Sequence, residues 1–177
     1  QWEDIQSDII DADGFPFTTN VGTGDIYSAN VALTARPWQG FEIETRAFLS
    51  SSDTVPKDGG ILAEEGEFPN IPELGFTVTA RQTLFEVDQS RLRIGTDYTL
   101  VGESMLALQP DLEIDQGDLS LASAWVDYRF GRNQLSLAVR NLFDASGNRF
   151  SFGNPFTVFD EAQATPLQPR TISIAFS

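Results

Sequence analysis

Apolar and polar side chains alternate at every second position in this chain, and the alternation is renewed in one segment of roughly ten residues after another. Period two marks a half-buried strand, because successive side chains leave a pleated backbone on opposite faces. No sustained 3.6-residue stripe competes with it. From the C-terminus backwards, residues 170–177 set Ile172, Ile174 and Phe176 against Thr171, Ser173 and Ala175. Residues 134–143 set Leu135, Leu137, Val139 and Phe143 against Gln134, Ser136, Ala138 and Arg140. Residues 120–130 oppose Ala122, Ala124, Val126, Tyr128 and Phe130 to Ser123, Trp125, Asp127 and Arg129. The same reading predicts strands over 91–100, 76–85, 41–49 and 25–36, with Leu84 on the apolar face of 76–85, and a poorer eighth over 1–10. Eight strands in 177 residues leave room for the roughly 9–11 residues that a tilted strand needs to cross a bilayer.

The connections alternate in length. Short ones fall at 37–40 (PWQG), 86–90 and 131–133 (GRN); long ones run approximately 11–23, 51–73, 103–117 and 145–168. Short turns on one side and long loops on the other are the habit of antiparallel up-and-down transmembrane β-barrels. Charged residues sit mid-strand on one face: Glu42, Glu44, Arg46, Arg81, Arg91, Arg93, Asp97, Asp127, Arg129 and Arg140. In a wide barrel that face lines a polar lumen, and the other meets lipid; in a soluble sandwich it is the solvated outside. Trp38, Phe41, Phe85, Tyr128 and Phe130 gather near the short turns, as a membrane-interface girdle requires.

Composition narrows the function classes. The formal charge of −15, from 26 acidic and 11 basic residues, argues against nucleic acid and against an anionic cytoplasmic membrane surface. Histidine is absent, which removes the usual base of a nucleophilic triad and the commonest metal ligand. Cysteine is absent too, so there is neither a disulfide framework nor a thiolate site. No apolar run approaches the 18 or so residues of a membrane-spanning helix, a test to which barrel strands are blind. The expectation is a protein without catalytic residues, cofactor or metal. The chain begins at Gln1 with no initiator Met, so either processing removed its start or it is a piece of something longer.

Residues 135–144 (LSLAVRNLFD) carry a pattern that resembles the penultimate strand of TonB-dependent receptors. A long loop follows, and then 169–172 (PRTI), similar to the opening of that family's last strand. Asn70-Ile71-Pro72 after a long loop, the turn at 36–41 (RPWQGF), and Trp2 to Ile10 with the later Asn20-Val21-Gly22 fit the expected order. The resemblance covers essentially the whole chain, through order and spacing rather than any single motif. It implies a 22-stranded barrel in the outer membrane of a Gram-negative bacterium, closed by a plug domain. It further implies uptake of a scarce ligand (siderophore, corrinoid or oligosaccharide) driven through TonB. The expected partners are outer-membrane lipid, the remainder of the receptor with its plug, and TonB through it. The chain departs from that pattern: it has no plug, no TonB-contact segment and only about eight strands, and Ser177 follows the terminal aromatic Phe176. Residues 1–177 are therefore read as one barrel segment, the C-terminal portion of such a receptor. The alternatives are a stand-alone eight-stranded barrel acting as a structural or assembly subunit, and a soluble β-sandwich that binds carbohydrate.

Within that reading, lumen arginines such as Arg46, Arg81, Arg93 and Arg140 are the candidates for meeting an anionic ligand. Pairing with acids on neighbouring strands is the competing and preferred use. Asp111-Leu112-Glu113-Ile114-Asp115-Gln116-Gly117-Asp118 spaces carboxylates like a calcium loop, but Gln116 stands where Gly is needed and Ala122 where Glu is. A solvated acidic loop is the simpler reading, and the same holds for Asp11, Asp13, Glu64, Glu65 and Glu67. Gly22-Thr23-Gly24 lacks the third glycine and the helix of a dinucleotide motif and reads as loop.

Overall fold

A computed structural model of the chain describes residues 2–10, 15–56, 66–105, 115–147 and 166–177. The long strands are β1 (Trp2–Ile10), β2 (Pro16–Ala35), β3 (Phe41–Pro56), β4 (Leu74–Val87) and β5 (Ser90–Val101). After a two-residue pair, β6 (Ser104–Met105) and β7 (Asp115–Gln116), come β8 (Leu119–Phe130), β9 (Asn133–Arg140) and β10 (Thr171–Phe176). Eight of them form one sheet in chain order, β1-β2-β3-β4-β5-β8-β9-β10, with every neighbour antiparallel. β6 and β7 make a separate ribbon.

The short turns are built as their residues require. Asp88-Gln89 and Gly131-Arg132 each close a two-residue hairpin between the pairs Val87↔Ser90 and Phe130↔Asn133. Asp88 and Gly131 supply the positive φ (51° and 60°) that lets such a turn follow the strand twist. Gly40, at φ 79°, lies where an added Cβ would come within 2.8 Å of the Thr83 carbonyl oxygen, and its own carbonyl accepts from the Thr83 amide.

Register carries the two-faced pattern across the sheet. Ile43, Ala80, Thr96, Ala124, Val139 and Ile172 are linked by successive cross-strand pairs into one row. One residue along, the opposite face holds the row Glu42, Arg81, Gly95, Trp125, Ala138 and Ser173. Among the described residues nothing covers either face over most of the sheet. Among the described residues only Val21 and Ala122 are buried apolar side chains, whereas Leu33 is 63% and Ile174 74% exposed. The accessible surface is 12094 Å², against about 8,500 Å² for a compact monomer of this mass. A sandwich needs a second layer on one face; no such layer is found among the described residues. The eight-stranded sheet does not close on itself either, since β1 and β10 are both edges.

Three details differ from the sequence reading. β2 begins at Pro16 and β3 continues to Pro56, so Gly22-Thr23-Gly24 lies inside a paired strand and not in a loop. Backbone pairing needs no apolar alternation, and the polar run at 51–56 concealed it. Second, the register skips Leu84: Thr83 pairs with Arg93 and Phe85 with Leu92. The extra residue of this bulge moves Phe85, not Leu84, into the apolar row. Third, β9 stops at Arg140, because Asn141 turns into positive φ (50°), which leaves Phe143 exposed beyond the strand.

Candidate functional site

The polar face of β3, β4, β5, β8 and β9 concentrates the charges and is the candidate site. At its short-turn end the Glu42 carboxylate accepts from Arg36 Nε and Arg81 Nη2, and Arg81 Nη2 also donates to Glu44 Oε1 at 3.2 Å. Arg91 approaches Glu86 at 3.7 Å. One row further, Arg93 faces Asp127 at 3.6 Å and lies 5.8 Å from the centroid of the Trp125 ring. Toward the long loops hydroxyls join the charges: Thr79 donates to Asp97 at 3.2 Å, and the Thr77 and Thr99 hydroxyls lie 3.4 Å apart. Solvent reaches these groups, so each ion pair contributes little to stability and mainly orients its neighbours.

The four candidate arginines therefore part company. Arg81 and Arg93 are paired with acids across the strands. Arg46, opposite Thr77, and Arg140, opposite Thr171, make no ion pair among the described residues. In the register Arg46 sits opposite Thr77, four residues along β4 from Arg81 in the direction of the long loops, and Arg140 ends β9 on the same side. Of the acidic stretches, residues 11–14, 57–65 and 106–114 lie outside the described residues, so the calcium-like spacing falls mostly beyond view. Glu67 and Asp118 line a cleft of about 530 Å³ together with Glu73 and Glu103.

Aromatic rings enter this polar face at three glycines, a feature that alternation counting misses. A Cβ on Gly95 would fall 2.4 Å from the Trp125 ring, one on Gly75 would fall 2.4 Å from Phe48, and one on Gly24 would fall 2.6 Å from Phe68. Each ring lies across the space that the missing side chain leaves. Phe68 belongs to a segment, residues 66–73, that folds over the long-loop end of the face. Its amide donates to Ser52 Oγ at 3.0 Å, Gly66 exchanges backbone bonds with Thr54, and the Ser50 hydroxyl donates to Pro72 O. Ser52 and Thr54 are buried beneath it. An isolated Gly inside an alternating strand hints at a close approach, but which ring fills the space depends on the neighbouring strand.

On the opposite face the rings gather at the short-turn end. Trp38 stacks on Phe41 at 4.3 Å; Phe85, Tyr128, Phe130 and Phe176 follow in contact, with centroid separations of 6.2, 5.2 and 6.4 Å. Trp38 Nε1 donates to Gln82 Oε1 at 2.8 Å, which satisfies the one polar group of the indole. The five rings expected near the short turns thus fall into two contacting groups, Trp38 with Phe41 and Phe85 with Tyr128 and Phe130, the second of which Phe176 extends.

Compared by sequence, the chain matches no protein-family model and no curated protein. Compared by structure, it superposes on the ferric yersiniabactin uptake receptor FyuA from Yersinia pestis with a TM-score of 0.72. That match has 19% identity and covers 90% of this chain and 24% of the receptor. The ferric-catecholate import receptor Fiu from K12 E. coli matches with a TM-score of 0.72 and 16% identity, over 98% of this chain and 23% of that one. The chain thus spans about a quarter of the length of either receptor, and its fold is that of a stretch of barrel wall from a TonB-dependent receptor.

Proposed function

We propose that this chain is the C-terminal stretch of barrel wall of an outer-membrane TonB-dependent importer, and not an enzyme. The observation that carries the reading is a single-layer sheet with one uncovered apolar face, belted by aromatics at one end. In hydrocarbon such a face is at home; in water it would be a large aggregation-prone patch. The open edges point the same way. In lipid each unpaired backbone group costs several kcal/mol, so β1 and β10 must each gain a partner, and the match to about a quarter of two receptors favours further strands over closure of these eight. β2, with 20 residues, is about 65 Å long at 3.3 Å per residue, roughly twice the hydrocarbon thickness, so the start of β2 and the paired end of β3 project together on the long-loop, extracellular side.

In this reading the polar face lines the lumen. Arg46 and Arg140, unengaged by described acids, face the ligand path, and Arg81 and Arg93 act there through their paired acids. The ligand is a ferric siderophore, by analogy with the two import receptors. Partners are the plug, the preceding strands, outer-membrane lipid and TonB. The test is fractionation of the native protein with labelled ferric siderophore uptake in iron-starved cells. An outer-membrane, heat-modifiable band is expected, with uptake reduced several-fold by R46Q/R140Q at unchanged abundance. Recovery as a monomer in plain buffer would overturn the reading.

A further inference from the structure

We propose that Asn141 and Asp144 form a clamp that sets the register of β10 on β9, selecting one of several settings that the side-chain pattern alone accepts. β10 presents Ile172, Ile174 and Phe176 to Val139, Leu137 and Leu135 on one face, and Thr171, Ser173 and Ala175 to Arg140, Ala138 and Ser136 on the other. A slip of one residue would turn every apolar side chain to the wrong face, so alternation forbids it. A slip of two residues keeps every side chain on its proper face. It replaces Ile–Val and Ile–Leu contacts by others of the same kind and disturbs the pattern only at the ladder ends. β10 is six residues long, exposed throughout and, within this chain, paired with β9 alone, so that ladder discriminates weakly between such settings.

The segment joining the two strands discriminates strongly. Asn141 is buried and held in the left-handed region at φ 50°. Its Oδ1 accepts from the Ala145 amide at 2.8 Å. Its Nδ2 donates to Ala145 O at 2.9 Å and, across the long loop, to Gln168 O at 2.8 Å. Asp144, at φ 55°, accepts the Arg170 amide on Oδ1 at 2.8 Å. Leu142 meanwhile continues the ladder by donating to Ala122 O at 2.8 Å, which ties the turn to β8. The two side chains thus grip Gln168 and Arg170, the residues that lead into β10, from a turn anchored on the far side of β9. A two-residue slip moves β10 by about 7 Å and breaks both grips. The charge-assisted and buried bonds each weight the native setting by roughly three- to ten-fold. Register matters beyond the strand itself, because stagger and strand tilt together decide whether a sheet can close.

The clamp rests on the fold alone and not on the proposed transport role. The chain contains no cysteine, so two introduced thiols are the only ones it carries, and their intramolecular bond is read as the monomeric product. Ala138 and Ser173 are direct partners, whereas Ala138 and Ala175 become partners only after a two-residue slip. Brief oxidation of the whole protein folded in detergent micelles should cross-link A138C/S173C and leave A138C/A175C essentially unlinked. Adding N141A and D144A should raise the A138C/A175C product about ten-fold, and D144N, which keeps the accepting oxygen, should not. The proposal is overturned if the native pair stays exclusive in the N141A/D144A background. It is equally overturned if A138C/A175C links readily with the clamp intact. Should the double variant fail to fold, the single variants decide, and native linkage without slipped product in both refutes it.

Discussion

At the scale of single residues, the polar face shows how a strand accommodates large rings without a core. Trp125 would sit poorly on this polar face if its indole stood free. Opposite Gly95 it lies across the neighbouring strand, with Arg93 over the ring. Phe48 opposite Gly75 repeats the arrangement, a pairing that also relieves the weakness of glycine within a strand. Gly95→Ala should therefore lower unfolding stability by about 1–3 kcal/mol. In a Trp125→Ala background the same change should cost clearly less, as a double-mutant cycle by denaturant unfolding in micelles would measure. Equal costs in both backgrounds would mean that the indole does not use that space. Neither pair was legible beforehand: alternation put Trp125 among Ser123, Asp127 and Arg129 correctly, but a glycine on the next strand is invisible without the register.

At the scale of elements, the two faces differ in what they tolerate. Val126 pairs with Leu137 on the apolar face, and the adjacent Asp127 pairs with Ser136 on the polar one. Val126→Arg should cost about 2–4 kcal/mol in lipid vesicles, the usual cost of a cation on the hydrocarbon side at mid-depth. Ser136→Arg, placed opposite Asp127, should change stability by less than about 1 kcal/mol. Similar costs at the two sites would contradict a hydrocarbon-facing side. The eight strands were readable because alternation is a local consequence of one-sided burial. Their ends were not, because β2 and β3 run on through polar residues where only backbone hydrogen bonds hold them, and because Asn141 ends β9 by its turn conformation.

At the scale of the whole molecule, the charge is sorted. Six arginines and five carboxylates share the polar face of β3 to β9 (Arg46, Arg81, Arg91, Arg93, Arg129, Arg140 with Glu42, Glu44, Glu86, Asp97, Asp127), so the negative charge of the chain lies elsewhere, mostly in its connections. A nearly balanced wall keeps self-repulsion low where the strands must stay paired. The two faces also place two tryptophans in different surroundings. In single-tryptophan variants reconstituted with brominated lipid, Trp38 fluorescence should be quenched strongly and Trp125 fluorescence little. Equal quenching would remove the distinction between a lipid side and a lumen side.

The sequence by itself determined that this chain makes strands, which residues share a face, and where the sharp turns fall, because each depends on a side chain and its immediate neighbours. Its motif order also pointed to the receptor fold, though not to why Asn141 and Asp144 stand where they do. Only the tertiary structure decided that the sheet stays single-layered with two open edges, that a bulge exchanges Leu84 for Phe85, and which arginines are matched by acids. Those outcomes depend on which strand lies beside which and at what stagger, and period-two alternation reads the same in every setting that differs by two residues.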